Sequence, residues 1–395
     1  MTAQQKGLIL LVKSAITGQA YTLPEDFDIN EAFETAKKHG ITAIIYYGAY
    51  NCGVDSKSDA MKENFLTVYK HMMICAKQDS EIQRLLDAFE ANGIKYLPLK
   101  GINIRKLYPK PEMRRMGDAD ILIDVAQYDQ IHSLMLKLGY SEEKQYDHEL
   151  PWVSRTARIE LHKRLVPKNN KDYYRYFKDC WRSAKLKDAK KYEYQLSHED
   201  EFIFVFAHFA KHYRSAGIGI RHFIDLWVLK SKYTDLNIEY VRTELNKLEL
   251  LEFYDNIVKT IAAWFEDVPL DEKSDFITQV IFTSGEYGKI STSLTSRALI
   301  EKKDGKTVAD ITRRNIFKSF FVDYDTMRVK YPILNKLAVL LPLIWIIHFI
   351  RRIFQKNKLK SFIKSTFTVK DSEVSDYQKS LRFVGLDFNF GDEED

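Results

Sequence analysis

The chain has 395 residues, is 45% hydrophobic and 29% charged, and carries a formal net charge of +5. That length leaves room for two or three domains, and the composition is that of ordinary globular protein rather than of a disordered or fibrous chain. The charge is too small to argue for any partner, and Cys52, Cys75 and Cys180 have no ligand spacing, which fits free thiols in a reducing cytoplasm.

Residues 1–92 read as helical. The opening MTAQQKGLILLVKSAITG has a short apolar patch and no cleavage-site pattern, so no secretory signal is expected. Apolar residues recur at three- and four-residue spacing in Leu8–Ile16 and Ala32–Ala36. Asn30 is the expected cap of the second helix and His39-Gly40 its stop. Ser58 to Ala91 reads as one long helix or two, closed by Asn92-Gly93.

The chemistry concentrates in Leu97–Asp124, LPLKGINIRKLYPKPEMRRMGDADILID. An apolar strand, Ile94–Leu99, ends at Lys100-Gly101, and a short helix over Ile102–Leu107 follows. A loop punctuated by Pro109 and Pro111 carries Arg114 and Arg115. It leads to a second strand, Asp118–Asp124. Side chains at i and i+2 on a strand share a face, so Asp118 and Asp120 project together while Ile121 points the other way. Neighbouring carboxylates repel and need a cation. Mg2+ characteristically takes one or two carboxylates plus substrate phosphates. A third carboxylate, Glu160, stands in an apolar frame in Arg158-Ile159-Glu160-Leu161-His162. Between these strands, Ala126–Leu138 reads as a helix capped by Asp124 and ended by Gly139.

These residues resemble the nucleotidyltransferase superfamily of the DNA polymerase beta type, whose pattern is a Gly turn opening a helix, D-x-D on the next strand and a later third carboxylate. The chain is most similar to an uncharacterised bacterial nucleotidyltransferase family, through LKG, YP, R-x-x-GDxD, ELHxR, and later HxxKH with RxxxDL, over about Leu97 to Leu229. The resemblance implies an α+β fold: a small mixed-sheet nucleotidyltransferase core at 93–195 between helical regions at 1–92 and 196–330, with an apolar/basic segment and acidic tail at 331–395. It also implies transfer of NMP from an NTP to a hydroxyl of a small molecule, sugar or protein, dependent on Mg2+ or Mn2+. Asp118, Asp120 and Glu160 would be the catalytic metal ligands. Lys100, Gly101, Asn103, Arg114, Arg115, His162, Lys211 and His212 would form the nucleotide and acceptor site. One departure stands out: the phosphate turn reads Lys100-Gly101-Ile102-Asn103, with Asn103 where a Ser is usual. A nucleotide-binding scaffold without turnover, acting at a membrane surface, is the alternative, and transfer of the γ-phosphate a third reading.

The basic, aromatic stretch 168–191 is a solvated loop and helix or an arm for an anionic acceptor. Ser197, with Asp200 in the box position, opens a helix carrying His208, Lys211 and His212. The two histidines share a face, for zinc, for the nucleotide or acceptor, or for structure. Arg221 and Asp225 on the next helix would pair with each other or brace that face. Ser284–Gly288 reads as a plain turn or a lid. Residues 326–370 hold ten Lys/Arg and no Asp/Glu. Their apolar run, Leu337–Ile350, is shorter than the roughly 20 residues that span a bilayer. The segment 337–370 either lies on an anionic membrane surface or docks on the core. Nucleic acid is not expected as substrate, for no recognisable binding motif is present. The location expected is cytoplasmic, with peripheral membrane contact as an option.

Overall fold

The computed structural model describes residues 1–145, 148–168, 170–215, 217–285, 324–354 and 371–387, with single positions between 292 and 299. By internal contacts it divides into two units. One comprises 1–212, 218–287 and 384–395, the other 213–217 and 288–383.

Four helices lead into the first unit. Helix α1, Ala3–Thr17, is opened by a capping box between Thr2 and Gln5. Helix α2, Ile29–His39, is capped by Asp28, whose side chain accepts from the Asn30 N–H, rather than by Asn30 itself. It stops at Gly40 in the left-handed conformation. Helix α3, Thr42–Asn51, was not separable in the sequence. It crosses α1 so closely that a Cβ on Gly48 would lie 2.0 Å from the Leu11 carbonyl oxygen. Helix α4, Asp59–Ala91, is one 33-residue helix rather than two.

In α4, Ile82, Leu85, Leu86 and Phe89 form a buried stripe at three- and four-residue spacing. The stripe packs on a five-stranded mixed sheet of order β1-β2-β5-β4-β3: β1 Tyr96–Pro98, β2 Ala119–Ile123, β3 Ser141–Glu142, β4 Glu149–Val153 and β5 Arg158–His162. Only β2 and β5 run parallel. Strand alternation sorts the residues. Ala119, Ile121, Ile123, Leu150, Trp152, Ile159 and Leu161 fill the core beneath α4 and α6, Tyr128–Lys137. Asp120, Glu160, His162 and Glu149 are left for the opposite face. The strand starts at Ala119, so Asp118 stands just before it rather than in it.

The chain also contains α5, Gly101–Ile104, α7, Lys171–Phe177, and a small hairpin of β6, Lys185–Leu186, with β7, Tyr194–Gln195. Helices α8, His198–Ser215, α9, Ile220–Lys232, α10, Ile238–Lys247, α11, Leu251–Phe265, and α12, Glu272–Thr283, follow. Ser197 caps α8, its hydroxyl bonded to the Asp200 N–H. Phe206 of α8 packs on Phe253 and Tyr254 of α11, and Phe223 of α9 stacks on Trp264.

The second unit holds helices Tyr324–Lys330, Leu341–Phe354 and Asp371–Phe383. Met327, Leu334 and Ile344 make a small core, while Val339, Leu343, Ile346 and Ile350 are exposed. Among the described residues, no helix is long and apolar enough to cross a membrane. Residues 286–288 of the expected Gly-flexed turn, 355–370 of the basic segment and the tail beyond 387 lie outside the described residues.

Candidate active site

The sheet register builds the site. Parallel pairing sets Asp120 of β2 directly beside Glu160 of β5, and His162 follows two residues on, on the same face. His162 Nε2 lies 2.7 Å from Asp120 Oδ1, and Lys100 Nζ is 3.1 Å from the same oxygen. Asp120, Glu160 and His162 each offer one ligand atom within 4.8 Å of the others.

Lys100 owes its place to a strained turn. It has φ +41° and ψ −108°, a conformation that costs a non-glycine residue on the order of 1–3 kcal/mol and clusters at functional sites. Gly101 then starts α5. A Cβ there would sit 2.6 Å from Met116 Sδ and 3.1 Å from Arg114 Nη1, so this position has no room for a side chain. Helix α8 packs nearby: Lys100 Nζ lies 5.6 Å from the Phe204 ring centroid, and Asn103 donates to Glu201 Oε1 at 2.8 Å and to the Pro98 carbonyl at 3.0 Å.

The electrostatics split the carboxyls. Burial alone would raise the Asp120 pKa, but the Lys100 ammonium and the His162 hydrogen bond outweigh it and hold the group well below the usual range. Burial likewise opposes the Lys100 charge, and Asp120 overcomes it, keeping the ammonium protonated. Glu160 is pushed up to about 7, first by burial, then by the charges of Asp118, Glu149 and Asp120. Arg158 Nε, 3.4 Å from Glu160 Oε1, only partly offsets them. This cluster of carboxylates therefore has an excess of negative charge, and its oxygen-rich donor set fits a hard divalent cation.

A uncharacterised-nucleotidyltransferase family model matches residues 25–266, from the loop before α2 through α11. The chain belongs to this family. No curated protein matches it. Among solved structures, the antibiotic-resistance factor ANT(2'')-Ia is similar at 12% identity, over 43% of this chain and 90% of that one, with a TM-score of 0.33.

The structure gathers some of the expected site residues of this nucleotidyltransferase and separates others. Asp118, Asp120, Glu160, His162, Lys100 and Gly101 lie together. On α8, His208 Nε2 and His212 Nε2 are 3.1 Å apart. His208 and Lys211 line a small cleft with Val166, Asn170 and Tyr173. Burial, then Lys211 and Lys100, push His212 down to about 4, and burial with Lys100 holds His208 lower than the ordinary histidine value. These neighbours are cations, a setting for an anion rather than for zinc. Arg114 departs from the expectation. It is buried, and its Nε and Nη2 bind Asp225 Oδ1 and Oδ2 at 2.8 and 3.0 Å, where Tyr108 also donates at 2.7 Å. Asp225 thus pairs with Arg114 in place of the expected Arg221, whose Nη1 donates to the Arg115 carbonyl. Arg114 supports the Gly101 turn from behind. Arg115 is exposed. The Asn103 amide N–H is committed to Pro98 and Glu201, so it buttresses the turn instead of standing in for the usual Ser. Glu149 joins the face without having been singled out in the sequence. Its signal was there: Glu149, Pro151 and Val153 alternate with Leu150 and Trp152.

Proposed function

We propose that the chain transfers NMP from an NTP to a hydroxyl of a small molecule, sugar or protein, with Mg2+ or Mn2+ as cofactor. The observation that carries this reading is the register match of Asp120 with Glu160, beside Asp118, in front of a Lys-Gly turn that opens a helix. Asp118, Asp120 and Glu160 would hold the cation, which neutralises phosphate charge and favours the attacking oxygen. Gly101, which packs against Met116 and Arg114, lets the turn close so that Lys100 reaches the carboxylate face. Lys100 balances negative charge, as do Arg115 and Lys211 at the margins. The Glu160 carboxylate, beside Asp120 on the same face, is placed to take a proton from the acceptor hydroxyl. His162 holds Asp120 in position.

A thermal-shift panel tests the proposal. Wild type and Asp118→Asn are heated with Mg2+ or Mn2+ and each of ATP, GTP, CTP and UTP. A ligand at about 100 times its dissociation constant adds about 2.7 kcal/mol. A metal-dependent shift with one nucleotide, absent in the variant, followed by pyrophosphate release, supports nucleotidyl transfer. Release of NDP instead would mean γ-phosphoryl transfer. No shift with any nucleotide overturns the reading.

One observation favours a second reading, a nucleotide-binding scaffold without turnover: Asp120 Oδ1 is already met by both Lys100 and His162. The exposed Val339, Leu343, Ile346 and Ile350 recur at helical spacing and support peripheral contact of the 337–370 segment with an anionic membrane. Sedimentation with anionic and with neutral vesicles checks this, and equal recovery in both supernatants would overturn it.

A further inference from the structure

A second donor set stands beside the carboxylates. His148, Glu149 and His162 each bring one ligand atom within 4.8 Å of the others. His148 Nε2 is 2.7 Å from Glu149 Oε1, and antiparallel pairing sets Glu149 opposite His162. His148 and Glu149 are half-buried, and His162 is 2% exposed.

The two nitrogens of His162 have different surroundings. Nε2 is held by Asp120 at 2.7 Å. Nδ1 is buried and has no hydrogen-bond partner among the described residues. Strand β5 lies between β2 and β4, so Asp120 stands on one side of His162 and Glu149 on the other. An imidazole whose one N–H is held by a carboxylate, and whose other nitrogen has an unused lone pair, is in the state that metal-ligating histidines adopt. Two imidazoles and one carboxylate form a three-ligand set that leaves a fourth position open. Imidazole nitrogen also selects Zn2+ or Co2+, whereas carboxylate and water suit Mg2+.

We propose that His148, Glu149 and His162 bind a transition-metal dication, Zn2+ in kind, at a site distinct from the Asp118/Asp120/Glu160 set. His162 links the two, because an ion on Nδ1 fixes the tautomer whose Nε2–H faces Asp120. The ligand types differ, so the two sites are separable by metal. The proposal does not depend on nucleotidyl transfer.

The full chain, stripped with chelator and dialysed, is titrated with Co2+ while the visible d–d absorption of nitrogen-bound cobalt is followed. One equivalent should bind, be displaced by Zn2+ and resist excess Mg2+. His148→Ala and Glu149→Gln should each weaken binding at least about 100-fold, and Asp120→Asn, which removes the partner of His162, about 10–100-fold. His208→Ala should leave the titration unchanged. Circular dichroism and thermal unfolding of each variant report its folding. The proposal is overturned if wild type shows no cobalt band, or if the band survives in a folded His148→Ala/Glu149→Gln double variant. Loss of the band in His208→Ala also overturns it, and assigns the ion to the His208/His212 pair.

Discussion

Asp120 and Glu160 are register partners on parallel strands, yet their carboxyls are driven in opposite directions. Asp120 has Lys100 and His162 on one oxygen and stays ionised. Glu160 has three carboxylate neighbours that outweigh the Arg158 guanidinium 3.4 Å away, and holds its proton to about pH 7. Two adjacent acids with separated pKa values are the arrangement in which one serves as a fixed charge and the other as a proton acceptor.

The first prediction separates the two aspartates. Asp118 precedes the strand and is partly exposed, so Asp118→Asn should lower nucleotide turnover at least about 100-fold while leaving the unfolding midpoint almost unchanged. Asp120→Asn removes the charge that balances the half-buried Lys100. It should lose turnover and also about 3 kcal/mol of stability, the usual cost of stranding one member of a buried pair. Urea unfolding beside a pyrophosphate-release assay checks both. Equal stability of the two variants would argue against the Lys100–Asp120 pair.

A second prediction follows from Glu160. Its folded pKa is about 7, raised from 4.5. Between those values the folded chain binds more protons than the unfolded one, so stability falls as pH rises. The contribution is fully present below about 4.5 and lost by about 7. In chelator, Glu160→Gln should therefore match wild type near pH 4.5 and exceed it at pH 8, by up to about 3 kcal/mol. A divalent cation, which stabilises the ionised form, should shrink the gap. Denaturant curves at both pH values, with and without Mg2+, measure it.

The strands, the carboxylate face and the N-terminal helices were legible because their signals are local. Ile121-Leu122-Ile123 and Ile159 with Leu161 show the alternation that aims Asp120 and Glu160 together, and Gly40 and Asn92 mark helix ends. The misses have physical reasons. Asp28 and Asn30 are both capping residues, and only the turn geometry decides between them. The Arg114–Asp225 pair joins residues 111 apart in sequence, which no periodicity reports. Glu201, partner of Asn103, is hidden in the acidic first turn of α8, where it reads as an ordinary dipole-compensating residue.

The third prediction concerns that long-range pair. Arg114→Met would leave Asp225 ionised and buried without its bidentate partner, and should cost about 3–5 kcal/mol. Asp225→Leu alone strands Arg114 and should cost as much. The double variant removes both charges and should recover most of the loss, which a double-mutant cycle by urea unfolding will show. If Arg114 instead served a triphosphate, Arg114→Met would keep its stability and lose only the nucleotide-dependent shift.

The last prediction is acid instability centred on His39. This residue is 1% exposed and lies at the end of α2, where its Nδ1 accepts from the Ile220 N–H at 3.3 Å and its ring bonds the Phe282 backbone. The Ile220 contact requires the neutral imidazole, whereas the Phe282 contact favours the charged ring. Burial pushes the pKa down to about 4 from 6.5, against the pull of the Phe282 hydrogen bond. In that interval the unfolded chain takes up a proton that the folded chain refuses, so stability is complete above about 6.5 and drains as pH falls to about 4. The share of His39 is about 3 kcal/mol at most. His212 and His222, also held low by burial, act in the same direction, so wild type should lose stability steeply across this window. His39→Gln, with a donor and an acceptor but no titration, should flatten part of the slope between pH 6.5 and 4 without changing it above pH 7. Thermal unfolding across that range measures both slopes. Parallel curves for wild type and variant would mean that His39 accepts its proton in the folded chain, and that the link it makes between α2, α9 and α12 survives the charge.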